Sequence, residues 1–247
     1  MERRPAANEL GLRHAITRIV TAYNEALSGL DERAIAEASR AYGGVVRAGK
    51  GGLVETIAAS MAEAAWVSFL GQDQRRITVS LKKSKIRVPL DKSYRGRESL
   101  SPAARAFLSS TDPSYGIGPD VQVLIDDRLV LPIECKAYTE IAMFKRILVD
   151  ATLMKRVAAT PFYGLVQLES MLGGDYCDCP ADPAGSASLH TLMSYFDVAL
   201  IIVTLLKGER KVDRPIHKAA WAKQLEPRAV RQGIEQLSRA FEPHVRG

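Results

Sequence analysis

The sequence predicts an α/β protein built on a mixed central β-sheet flanked by helices. Three observations carry this. Apolar residues recur at three- and four-residue spacing near both ends of the chain, and the middle holds short alternating segments. One continuous apolar run, VALIIVTLL (198–206), is far too short to span a bilayer and has the length of a buried strand. Helices and strands interleave without an internal repeat or a clear linker, so one domain covers 1–247. It divides into a helical part over about 8–71, an α/β core over about 75–206 and a closing helix over about 227–241.

The first helix places Leu12, Ile16, Ile19, Val20, Tyr23 and Leu27 on one face. Asp31 is a fair N-cap for a second short helix through Tyr42. A glycine-rich break, GGVVRAGKGG (43–52), separates it from a helix ending at Gly71. ITVSL then sets Ile77, Val79 and Leu81 on one face, and IRVPL does the same with Ile86, Val88 and Leu90. A basic KKSK turn between them predicts a hairpin. Ser101 followed by Pro102 starts a helix over 101–108, and TDPSYGIG reads as turn chemistry. A long amphipathic helix is expected over 139–159, halted at Thr160-Pro161, then a strand at FYGLVQLE and a loop over 173–188. Val230, Ile234, Leu237 and Phe241 mark the last helix.

Composition is that of a globular chain, with 47% hydrophobic and 25% charged residues. The opening MERRPAANELG has charge but no apolar segment of the kind a secretory leader needs. Three cysteines argue against a disulfide framework, and a cytoplasmic location is expected. Net charge is +6, yet the stretch from Arg75 to Arg97 alone holds nine basic residues and one acid, Asp91. A segment so basic suits a polyanionic partner through counterion release. It also suits a solvated strand edge that discourages aggregation.

The stretch GPDVQVLIDDRLVLPIECK (118–136) poses the functional question. A turn centred on Asp127 pairs Val121 with Ile133, Val123 with Leu131 and Ile125 with Leu129 on one face. The other face then carries Asp120–Glu134, Gln122–Pro132 and Leu124–Val130. Two acids facing at roughly 4.5–5.5 Å between Cβ atoms repel. Lys136, on the same face as Glu134, or a divalent cation on hard oxygen ligands would offset that repulsion. Pro132 lacks a ladder donor and marks a candidate bulge. Cys135 points the other way, as a small core residue.

Pro119-Asp120, a thirteen-residue spacer and Glu134-Cys135-Lys136 resemble the PD-(D/E)XK nuclease signature, and most of all a type II restriction endonuclease. The resemblance implies a restriction-endonuclease-like fold and Mg²⁺ held by Asp120, Glu134 and the backbone carbonyl of Cys135. It implies that Lys136 positions or activates water, and that cleavage leaves a 5′-phosphate and a 3′-hydroxyl. Glu55, with Glu63 as the alternative, is the candidate for an acid from a preceding helix. The implied partner is double-stranded DNA. A homodimer suits palindromic sites, and a cognate DNA methyltransferase is expected genetically. Arg95, Arg97, Arg210 and Lys211 are candidate DNA contacts. A structure-selective repair or recombination nuclease, or a non-catalytic DNA-binding protein of the same fold, remains the alternative.

Two further motifs are set aside. GVVRAGKG (44–51) has Gly51 where a phosphate loop needs a hydroxyl and is read as a flexible loop. CDCP (177–180), even with His190 nearby, lacks the second paired cluster of a zinc site.

Overall fold

The computed structural model describes residues 8–36, 42–82, 84–158, 160–173, 186–210 and 223–245. Five strands form a mixed sheet in the order β1-β4-β5-β6-β7, and β2 and β3 form a separate two-stranded ribbon. The strands are β1 (Ile77–Ser80), β2 (Ile86–Pro89), β3 (Ser114–Ile117), β4 (Val121–Ile125), β5 (Arg128–Glu140), β6 (Phe162–Met171) and β7 (Ala199–Thr204). The helices are α1 (Glu9–Ala36), α2 (Tyr42–Ala64), α3 (Pro102–Ser110), α4 (Ile141–Ala158), α5 (Ala187–Met193) and α6 (Pro227–Ser238). The expected mixed sheet with helices on both faces is what the chain forms.

Helices α1, α2 and α6 cover one face of the sheet. Leu12, Ile16, Ile19 and Tyr23 of α1 meet Val54, Ile57 and Met61 of α2 and Val230, Ile234 and Leu237 of α6. Beneath them lie Val121, Val123, Leu131, Ile133, Cys135, Val166 and Val203 of the sheet. Close approach of α6 depends on Gly233, where a Cβ would come within 2.2 Å of Met61 and 2.7 Å of Val203. Helix α4 covers the opposite face, packing Phe144, Ile147, Leu148, Ala151 and Met154 with Tyr163 and Leu165 of β6 and Leu189 of α5.

Several local expectations are corrected. ITVSL and IRVPL do not pair with each other. β1 joins β4, with Ile77 opposite Ile125 and Val79 opposite Val123. β2 instead pairs with β3, the segment read as turn. Short strands carry no record of their partner, and the edge of the main sheet offers β1 a longer apolar surface than β2 could. The glycine-rich segment at 43–52 is helical, as part of α2, so GVVRAGKG is neither a phosphate loop nor a flexible one. Helix α1 continues through Asp31 to Ala36 without the expected break. The CDCP motif lies outside the described residues.

The β4–β5 hairpin keeps the expected register at its open end and departs from it near the turn. Val121 faces Ile133, Gln122 faces Pro132 and Val123 faces Leu131, but Leu124 then faces Leu129 and Ile125 faces Arg128. The cause is a two-residue turn. Asp126 and Asp127 have φ of 49° and 62°, the geometry that matches strand twist. The leftover residue, Val130, is absorbed as a bulge. Pro132 is not the bulge; it precedes Ile133, where the parallel ladder to β6 begins.

Candidate active site

The open end of the hairpin gathers the two acids and the lysine. Asp120 lies one residue before β4, and its Oδ2 accepts a hydrogen bond from the Cys135 backbone N–H at 2.8 Å. Glu134 and Lys136 share a face of β5 by strand alternation. Side chains of Asp120, Glu134 and Lys136 are 14%, 12% and 29% exposed, so the site is mostly withdrawn from water yet open at the lysine. The Lys136 ammonium donates to Glu134 Oε1 and to the Cys135 carbonyl at 3.2 Å. It stands 3.7 Å from Asp120 Oδ2.

Those three oxygens are the ones that the signature would give to a cation. In this arrangement the ammonium stands in for it, neutralising a pair of carboxylates that would otherwise repel. The donors are hard oxygens, two anionic and one carbonyl, and so fit Mg²⁺ chemically, with further positions left to water. Among the described residues no three His, Cys, Asp or Glu side chains are grouped to hold a metal. The fit therefore rests on the pair and the carbonyl. Burial pushes the Glu134 carboxyl pKa up and the Asp120 charge adds to the rise, while Lys136 and then Arg146 pull it down. Cys135 is buried against the helical face, and burial drives its thiol well above the usual range, which suits a core residue and not a nucleophile.

Glu55 projects from α2, half-buried. Its charge is among those that raise the Cys135 thiol, which puts it near the same end of the sheet, although it does not complete a three-carboxylate cluster. Glu63 is drawn elsewhere: its Oε1 accepts a hydrogen bond from Gln74 at 2.7 Å, beside a surface hollow lined by Arg18.

The basic segment divides in two. Arg75 pairs with Asp73, Arg76 with Asp126 and Arg87 with Asp112, and of these only Arg76 is largely buried. Lys82, Lys85, Lys92, Arg95 and Arg97 are exposed, with the Arg97 guanidinium 5.0 Å from the Tyr94 ring centre. Gln122 ties this segment to the site face: its amide donates to the Ser84 carbonyl at 2.7 Å and accepts from the Ser84 hydroxyl at 3.1 Å. Arg210 stacks 3.6 Å from the Tyr138 ring centre, two residues beyond Lys136 on β5. Lys211 lies outside the described residues.

Three neighbours of the site went unread in the sequence. Asp150 is 6% exposed although it sits on α4, and Arg146 Nε lies 3.7 Å from its Oδ2. Burial raises the Asp150 pKa while the Arg146 and Lys136 charges lower it. The Tyr163 hydroxyl is buried without a hydrogen-bond partner among the described residues, and its pKa is raised by burial and by the charges of Glu134, Asp150 and Asp120. A lone acid on the apolar face of an amphipathic helix was the available signal for Asp150.

The chain belongs to the type II restriction enzymes, the class of type II site-specific deoxyribonucleases. It is 40% identical over 233 residues to the type II restriction enzyme DdeI of Desulfomicrobium norvegicum, a match covering 92% of this chain and 95% of the relative. No family model matches the sequence. Among solved structures, the native BbvCI A2B2 tetramer aligns over 94% of this chain and 89% of its own at a TM-score of 0.37 and 11% identity. No helix among the described residues is long and apolar enough to cross a membrane.

Proposed function

We propose that the chain is a Mg²⁺-dependent, sequence-specific endonuclease of the PD-(D/E)XK type that cuts double-stranded DNA to leave 5′-phosphate and 3′-hydroxyl ends. The observation that carries this reading is the set of three oxygens, from Asp120, Glu134 and Cys135, closed around the Lys136 ammonium. Asp120, Glu134 and the Cys135 carbonyl hold the cation, which when bound polarises the phosphate and lowers the pKa of a water. Lys136, the most exposed of the three side chains, positions the attacking water and stabilises charge developing on the phosphate. The hydrogen bond from Cys135 N to Asp120 holds the first carboxylate in place for that role.

The exposed cations of the 82–97 segment supply sequence-independent phosphate contacts, and Arg95 and Arg97 have the side chain suited to guanine readout. Arg210, on the site face, is a further contact. Cutting both strands at a palindrome needs two copies of the site, which a homodimer provides. A methyltransferase protecting host DNA is expected beside the gene and not as a bound partner.

The test is digestion of plasmid DNA of known sequence. Discrete fragments with Mg²⁺, none with chelator and none from Lys136→Ala support the proposal. Intact DNA across all site contexts, or unchanged cleavage in Lys136→Ala, overturns it.

A further inference from the structure

Helix α4 starts directly after β5 and runs back along the sheet. Nine helical steps from Ile141 to Asp150 rise about 13.5 Å, and four strand steps from Glu140 back to Lys136 span about 13 Å. Asp150 is therefore level with the site. Its position in the helix faces the core, between Ile147, Ala151 and Met154, all buried. An acid there faces a desolvation cost, which its Arg146 partner only partly offsets, because the Arg146 side chain is 74% exposed while that of Asp150 is 9% exposed.

The pair is thus asymmetric: a buried carboxylate lies 3.7 Å from the Nε of an arginine whose side chain is largely exposed. Arg146 lies one helical turn before Asp150 on the same helix, and its charge helps lower the Glu134 pKa, so the cation is within electrostatic reach of the site carboxylates. An ordinary surface pair one helical turn apart has both partners in water and contributes little. Here the acid is buried and the arginine is left aimed outward.

Resting on the nuclease reading above, we propose that Arg146 is a phosphate-binding residue of the active site, contacting the DNA backbone at or next to the scissile phosphodiester, and that Asp150 positions it. Guanidinium suits this task, since its fork can give two donors to the carboxylate edge and still present donors to a phosphate. Asp150 acts through Arg146 and touches no substrate.

The experiment uses the full chain on a DNA fragment that the wild type cuts once, with Arg146→Ala, Arg146→Lys, Asp150→Asn and the Arg146→Ala/Asp150→Asn pair. Arg146→Ala lowers the single-turnover rate by about a hundredfold. It also flattens the dependence of log affinity on log salt by about 0.9, the loss of one phosphate contact. Arg146→Lys restores the salt slope but only part of the rate. Asp150→Asn slows cleavage about tenfold and adds little in the pair, as expected of two residues that work as a unit. A wild-type rate and salt slope in Arg146→Ala overturn the inference, and fully additive losses overturn the role of Asp150. Because Arg146→Ala leaves the buried Asp150 carboxylate without its partner, the Arg146→Ala/Asp150→Asn pair, in which that charge is also removed, tests the contact apart from stability. Failure of the wild type to cut any DNA would instead bring down the nuclease reading.

Discussion

The Asp120 carboxylate accepts a hydrogen bond from the Cys135 backbone N–H at 2.8 Å, so the first acid of the site is fastened to the strand that carries the second. The carboxylate therefore has two separable jobs, as an acceptor within the fold and as a negative charge in the site.

Those jobs separate by substitution. Asp120→Asn keeps an acceptor for Cys135 N and removes the charge, whereas Asp120→Ala leaves a buried N–H unsatisfied. Both variants lose at least about a hundredfold in cleavage, but Asp120→Ala is less stable than Asp120→Asn by about 1–3 kcal/mol. Thermal melts beside a cleavage assay check this, and equal melting temperatures would exclude the structural role.

Lys136 occupies the oxygen set assigned to the cation, so the two compete. Lys136→Ala leaves Asp120 and Glu134 unneutralised, and Mg²⁺ then stabilises the protein more than it stabilises the wild type. The readout is the melting-temperature shift on adding Mg²⁺. A shift equal to or smaller than the wild-type one would show that the ammonium does not compete.

Folding raises the Glu134 pKa above its ordinary value of 4.5, chiefly by burial. The stability linked to this group is fully present below 4.5 and is lost as pH rises through the folded value. Without metal, Glu134→Gln is therefore more stable than wild type at pH 7, and the advantage shrinks as pH falls toward 4.5. Cation binding needs the ionised form, so at limiting Mg²⁺ wild-type cleavage begins to fall on acidification while the pH is still above 4.5. Melts at two pH values and a pH–rate profile test both statements.

Asp126 and Asp127 hold left-handed backbone at the hairpin turn. Asp126 is tied to Arg76 by two hydrogen bonds of 3.0 and 2.8 Å, while Asp127 is exposed. Asp127→Gly relieves the left-handed strain and stabilises by up to about 1 kcal/mol, whereas Asp127→Val destabilises, because a branched side chain resists that conformation. Denaturant unfolding checks the opposite signs.

The hairpin shows what was legible. Alternation over Val121, Val123, Leu131 and Ile133 fixed the register at the open end, because a one-residue slip would expose every apolar side chain. Nothing near the turn imposed that penalty, since Leu124, Ile125, Leu129 and Val130 are all apolar and any register buries something. The turn conformation decided there, and the bulge at Val130 kept the error away from Asp120 and Glu134. Strand partnership was equally silent for β1, β2 and β3, four residues each, because such short segments hold too few side chains to specify a mate.

By itself, then, the sequence determined the helix-flanked sheet, the two-faced hairpin and the meeting of Asp120, Glu134 and Lys136, all set by local periodicity and a single turn. Only the tertiary structure decided that β1 docks on β4, that Gln122 ties Ser84 of the basic segment to β4, and that α4 returns Asp150 and Arg146 to the level of Lys136. Those relations depend on where separate elements pack in space. An isolated acid on an apolar helix face shows that something must compensate its burial, and only the packed neighbour shows what does.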